Sequence, residues 1–154
     1  MTYAETVMSE TVRLMLPIAA TEDMEKGYLD VKTAFLYGDV PDDQYIYMRR
    51  PAGLTDSDMP AVIRLRKCLC DIPHAPATFR AHSDNVLRSR GFTPTVSDPR
   101  FNVRLYDDGT KVFIAVHVDD FGIAASNTAL KLEAMVAIQE VYNCVEGDLV
   151  SIWV

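Results

Sequence analysis

Apolar residues along the chain follow two periods. Val7, Thr11, Val12, Met15 and Ile18 recur at helical spacing behind Thr2-x-x-Glu5, the spacing of a capping box, which predicts an amphipathic helix over roughly residues 3–20 with Pro17 in its last turn. Short alternating or continuous apolar runs then predict strands at 27–31, 44–48 and 62–66, the last two separated by a Pro-, Gly-, Asp- and Ser-rich loop from Pro51 to Pro60. Pro76 suits the first turn of a second helix, Phe79, Val86 and Leu87 form its apolar stripe, and Gly91 suits its stop. Asp107-Asp108-Gly109-Thr110 reads as a tight turn joining strands at 101–106 and 111–116. A second hairpin follows, because Val112-Phe113-Ile114-Ala115-Val116 and Phe121-Gly122-Ile123-Ala124-Ala125 bracket Val118-Asp119-Asp120. Ser126 or Asn127 caps a last helix through Tyr142, with Leu132, Met135, Val136 and Tyr142 on its buried side. The order α-β-β-β-α-β-β-β-α predicts an α+β fold, an antiparallel sheet with helices packed on it, in one domain over residues 1–154.

Composition narrows the class. A chain of 154 residues, 49% hydrophobic and 24% charged, is sized for one globular domain or part of one. No apolar run nears the ~20 residues that span a bilayer, and Met1-Thr2-Tyr3-Ala4-Glu5 lacks a basic and apolar leader, so no membrane association and an intracellular location are expected. Cys68, Cys70 and Cys144 are odd in number and lack partners at zinc-like spacing, which predicts buried reduced thiols. The net charge of −7 is unevenly distributed: Arg49 to Lys111 holds 11 Lys and Arg against 7 Asp, a net +4, beside −11 in the remainder. A nucleic-acid face beside a metal site and ordinary solvated surface charge both fit that distribution. No Gly-rich phosphate loop is present, which argues against a Walker-type nucleotide site.

Two adjacent carboxylates at a hairpin tip are either a solvated turn or a cation site. Asp119 and Asp120 alternate across the strand or turn, so one can face a metal while the other supports or shares it. Asp30, ending the strand at 27–31, is the candidate third carboxylate. Such a set suits Mg²⁺, with Mn²⁺ as a substitute; two such ions activate an attacking hydroxyl and stabilise leaving pyrophosphate.

Longer blocks carry a family resemblance. Asp30-Val31-Lys32-Thr33-Ala34-Phe35-Leu36-Tyr37-Gly38, followed by Tyr45-Ile46-Tyr47-Met48-x-x-Pro51-x-Gly53, resembles the first catalytic block of copia-type (Pseudoviridae) retrotransposon reverse transcriptases. Leu65-Arg66-Lys67-Cys68-Leu69, Ala75-Pro76, Gly91-Phe92, Ser97-Asp98-Pro99, Val118-Asp119-Asp120 and Ile123-Ala124 before Ser126-Asn127 continue the match in order, and Glu10-Thr11-Val12-Arg13 is similar to the helix upstream. The resemblance implies a polymerase palm with partial fingers and no thumb, extending a primer on an RNA or DNA template with deoxynucleoside triphosphates, within a longer retrotransposon polyprotein in a cytoplasmic particle or the nucleus. It further implies Asp30, Asp119 and Asp120 as catalytic metal ligands with the Val31 carbonyl, and Val31, Ala34, Phe35 and His74 beside the nucleotide. Phe35 falls where relatives place an aromatic gate against the ribose 2′-hydroxyl; on sequence alone a core Phe fits as well.

Several positions depart from the family pattern. His117 stands where relatives carry Tyr or Phe. In Leu69-Cys70-Asp71-Ile72-Pro73-His74-Ala75-Pro76, Asp71, Pro73 and His74 replace Gly, Lys and Gln, and Phe79 replaces Trp. Asp71 places an acid near an incoming triphosphate, Pro73 removes a cation and an N–H donor, and His74 keeps a hydrogen bond with different reach. Residues 151–154 do not reproduce the expected continuation. These departures keep open an inactive remnant that serves as a nucleic-acid or protein interaction module.

Overall fold

The computed structural model describes residues 5–147 except Asp56, Asp58 and Asp71. The first helix, α1 (Ser9–Thr21), starts later than its apolar spacing predicts. Glu5 is drawn into an ion pair with Arg80 at 2.9 Å, Val7 N–H donates to the Val116 carbonyl at 3.0 Å, and Met8 N–H donates to Asp98 Oδ2 at 2.9 Å. Those bonds hold the lead-in extended, while Thr2 of the capping box lies outside the described residues. Pro17 does not end the helix. Val12, Met15 and Ala19 form its buried stripe, and that burial outweighs the single backbone donor that proline removes.

Six strands make one antiparallel sheet: β1 (Glu25–Val31), β4 (Thr93–Pro94), β5 (Phe101–Leu105), β6 (Lys111–His117), β7 (Asp120–Ala125) and β8 (Cys144–Gly147), in the order β4-β5-β6-β7-β1-β8. β2 (Tyr47–Arg49) and β3 (Val62–Arg64) pair separately as a two-stranded ribbon. Both ribbon strands are shorter than predicted, because the alternation of side chains extends beyond the paired backbone. The very short β4 and the half-exposed β8, mixed in composition, carry no period-2 signal and add to the predicted order, as does a single 3₁₀ turn (Ala34–Tyr37) behind β1.

Alternation sorts the sheet into two faces. Leu29, Val31, Ile114, Val116, Phe121 and Ile123 turn to the face covered by α2 (Ala75–Ser89) and α3 (Thr128–Gln139), packing with Phe79, Leu87, Met135 and Ile138. Truncating any of these to alanine costs about 2–5 kcal/mol. Tyr28, Ala115 and Ala124 turn to the other face, where α1 supplies Val12, Met15 and Ala19. α3 is capped by Asn127, whose Oδ1 accepts the Leu130 N–H at 2.9 Å, and of the predicted stripe it buries Met135 but not Leu132 or Val136. Ala134, Met135 and Ile138 are inside, whereas Leu132 and Val136 are 52% and 51% exposed, since a helix apolar nearly all round leaves its seated face to tertiary packing. The helix also stops at Gln139. Tyr142 is buried from the following turn, its hydroxyl 2.7 Å from His82 Nδ1. All three cysteines are free, but only Cys68 is buried; Cys144 is partly exposed and Cys70 exposed.

Candidate active site

The β6–β7 hairpin closes in the fewest residues a hairpin permits. His117 pairs with Asp120, leaving Val118 and Asp119 as the entire turn. Val118 adopts φ +54°, a conformation that β-branched residues avoid and that costs about 1–3 kcal/mol. The turn is stitched to its neighbour, since the Val31 N–H donates to the Asp119 carbonyl at 2.9 Å. Asp120 lies directly opposite Asp30 in the β1–β7 register. Directly paired residues share a face of a sheet, so His117, Asp120 and Asp30 form a row across β6, β7 and β1, with Asp119 at the tip above it. The structure thus brings together the three predicted acids and the Val31 backbone.

Tyr28 is the residue of this site that sequence reasoning missed. Two positions before Asp30, it points to the same face and donates its hydroxyl to Asp120 Oδ1. Space for the ring comes from glycines at both cross-strand positions, Gly122 on β7 and Gly147 on β8; a Cβ on Gly147 meets Tyr28 Cδ1 at 2.8 Å. An i, i+2 reading from Asp30 is the signal that finds it. Burial first, then the bond to Asp120 and the charges of Asp120, Asp30 and Asp119, push the Tyr28 phenol far above its usual range and keep it a donor.

Negative charge at the tip is uncompensated by lysine or arginine. Among the described residues none of those cations forms an ion pair with Asp30, Asp119 or Asp120. Burial raises the Asp119 carboxyl above the usual carboxylate range; the hydrogen bond from its own backbone opposes that shift, the charges of Asp120 and Asp30 add to it, and His117 offsets part. On the far side of β1, burial and then the Asp30 charge lift the Cys144 thiol to about 11. An all-oxygen, anionic set whose mutual repulsion no lysine or arginine among the described residues relieves has the chemistry that a hard divalent cation satisfies. The side chains do not close into a ligand shell: among the described residues no group of three His, Cys, Asp or Glu is drawn together to hold a metal ion.

The remaining predicted residues lie outside this row. Ala34 is buried at the start of the 3₁₀ turn, which follows Thr33 in a left-handed conformation. Phe35 is partly buried and packs against both the main core and the small cluster of Val40, Cys68 and Ala75. His74 precedes α2, where its carbonyl accepts the Thr78 N–H and hydroxyl at 3.0 and 2.9 Å. Pro73 is exposed beside it, while Asp71 and residues 151–154 lie outside the described residues. Within the basic middle, Lys67, Arg80, Arg90, Arg100, Arg104 and Lys111 all pair with acids, so much of that charge is neutralised locally.

Comparison with known proteins gives one family. Residues 1–141 match the family described as "Reverse transcriptase (RNA-dependent DNA polymerase)". The chain is 30% identical over 129 residues to the retrovirus-related Pol polyprotein from transposon TNT 1-94 of Nicotiana tabacum, a match covering 83% of the chain and 10% of that protein. Against the Pol polyproteins from transposons RE2 and RE1 of Arabidopsis thaliana it is 30% identical over 148 residues and 34% identical over 130, covering 96% and 84% of the chain. The chain spans about a tenth of the length of these relatives, with 10% of RE2 and 9% of RE1 matched.

Proposed function

The chain belongs to the reverse transcriptase domain of copia-type retrotransposon Pol polyproteins, and from that premise we propose that it is the palm-like catalytic segment of an RNA-directed DNA polymerase that works by two-metal nucleotidyl transfer. The observation that carries this reading is the register: Asp30 faces Asp120 across β1 and β7, with Asp119 at a strained tip bonded to Val31. In this reading Asp30, Asp119, Asp120 and the Val31 carbonyl hold Mg²⁺ or Mn²⁺. Bound there, the ions supply activation of the primer 3′-hydroxyl and stabilisation of the leaving pyrophosphate. Tyr28 positions Asp120 by fixing one of its oxygens, leaving the other for the cation. Ala34, Phe35 and His74 flank the incoming nucleotide, with Phe35 excluding the ribose 2′-hydroxyl.

The test is primer extension by the full chain on poly(rA)·oligo(dT) with dTTP and Mg²⁺. Incorporation that requires the metal and disappears in Asp119→Asn supports the reading. Incorporation surviving that substitution does not arise from this site and sinks it. One observation favours a second reading, an interaction module without turnover: Arg49, Arg64 and Arg66, unlike most of the basic middle, have no carboxylate partner among the described residues.

A further inference from the structure

A four-residue 3₁₀ turn has too few hydrogen bonds to hold its own place, so the position of Ala34–Tyr37 is set by what its ends and side chains touch. Both ends of the segment Lys32–Tyr37 return to the same residue. The Lys32 N–H donates to the Asn143 carbonyl at 2.9 Å, and the Asn143 N–H donates to the Tyr37 hydroxyl at 2.8 Å. Asn143 stands just before β8, whose first residue, Cys144, pairs with Val31. The segment is thereby closed into a bracket on the end of β1 that carries Asp30 and Val31, with the left-handed Thr33 inside it and Ala34 and Phe35 at its middle.

The Tyr37 ring is held as well as its hydroxyl. It meets Tyr142 edge-on, with 4.8 Å between centroids and 85° between planes, and lies 6.4 Å from the His82 ring. Tyr142 is in turn buried, packs edge-on against Phe79 at 5.7 Å, and places its hydroxyl 2.7 Å from His82 Nδ1. Beyond Tyr37 the chain runs close against α2, where a Cβ on Gly38 meets Thr78 Cγ2 at 2.8 Å. Covering this corner needs a ring alone. The hydroxyl adds a bond to the main chain of the strand beside β1, which phenylalanine in its place would lack.

We propose that Tyr37 is a positioning residue for nucleotide selection: through Asn143 it holds the Lys32–Tyr37 bracket closed and so fixes where Phe35 stands relative to Asp30. Tyr142 and His82 orient the Tyr37 ring, and Tyr37 acts through Phe35 rather than by contact with the nucleotide. The role in selection rests on the polymerase reading; the bracket itself does not.

The experiment joins amide hydrogen exchange to primer extension, both on the full chain. Tyr37→Phe keeps the ring and removes the acceptor, so exchange at the Asn143 and Lys32 amides accelerates at least about fivefold, the loss of one net hydrogen bond. On poly(rA)·oligo(dT), the ratio of UTP to dTTP incorporation rises about threefold in Tyr37→Phe and further in Tyr37→Ala, while Leu36→Ala on the same turn leaves it unchanged. Coupling is the readout that packing alone does not move. Because Tyr37 acts through Phe35, adding Tyr37→Phe to Phe35→Val leaves the ratio at the Phe35→Val value. A circular dichroism spectrum like that of the wild type confirms folding of each variant. Unaltered exchange at both amides in Tyr37→Phe, a wild-type ratio in Tyr37→Ala, or independent, multiplying effects in the double variant overturns the proposal. A wild type that extends no primer counts against the polymerase reading and the selection role with it, and the bracket then stands or falls on exchange alone. Wild-type extension with unaltered exchange and ratio counts against Tyr37 alone.

Discussion

Replacing Asp119 with asparagine should stabilise the folded chain. Asp119 stands at the hairpin tip beside Asp120 and near Asp30, without a lysine or arginine ion-pair partner among the described residues, and its carboxyl is raised, above all by burial and further by those two charges. A carboxyl whose folded pKa exceeds its unfolded value of about 3.9 holds its proton more tightly in the fold, so ionisation opposes folding. The penalty is absent below the unfolded value, grows as pH rises through the raised folded value, and is complete above it. Repulsion from Asp120 and from Asp30, each taken at the ~7 Å diagonal spacing of neighbouring strands and an effective dielectric of about 40 for a half-solvated tip, costs about 1.2 kcal/mol apiece and so about 2 kcal/mol together before screening. With a Debye length of about 8 Å at physiological salt, roughly 1 kcal/mol remains. Asparagine keeps the shape and an acceptor oxygen for the backbone bond, so Asp119→Asn should raise Tm at pH 7 by about 2–4 °C. Thermal melts of both proteins at pH 7 and pH 3, without divalent cation, measure this. The gain should vanish at pH 3, where the wild-type carboxyl is protonated. An unchanged or lowered Tm at pH 7, or a gain that persists at pH 3, refutes the picture of an uncompensated acidic tip.

Arg100 is 1% exposed and ion-paired with Asp84, with its backbone N–H on Asp98 Oδ1 at 3.0 Å. Arg100→Ala leaves Asp84, partly wet, to the longer Arg80 contact at 3.8 Å, and should cost about 2–4 kcal/mol and lower Tm by roughly 5–15 °C in urea and thermal melts; a loss under 1 °C would show the pair to be dispensable. Phe35→Val tests the gate: the ratio of ribo- to deoxynucleotide incorporation should rise about tenfold. A lowered Tm with an unchanged ratio would assign Phe35 to packing alone.

What the sequence reveals here is local. The β6–β7 hairpin is legible because two apolar runs of strand length bracket Asp119 and Asp120. That Asp30 faces Asp120 is a pairing across about 90 residues of chain, which no periodicity encodes; ordered family blocks pointed to it. Tyr28 was missed because its partner, Asp120, is brought to it only by that pairing. α3 shows the limit of a local pattern: Leu132 and Val136 have the right spacing for a buried face, yet the sheet seats Ala134 and Ile138 instead. The basic middle is similarly ambiguous in one dimension. Folding pairs most of it with acids carried by distant segments, as in Arg80 with Glu5 and Arg104 with Glu133, and leaves the ribbon arginines apart.

The claim that Asp30, Asp119 and Asp120 form a divalent-cation site is tested most directly by an electron paramagnetic resonance titration of the full chain with Mn²⁺. Saturable binding in the wild type, displaced by excess Mg²⁺ and weakened at least about tenfold in each of Asp30→Asn, Asp119→Asn and Asp120→Asn, is the expected result. Mn²⁺ binding that is absent from the wild type, or unaltered in all three variants, would contradict it.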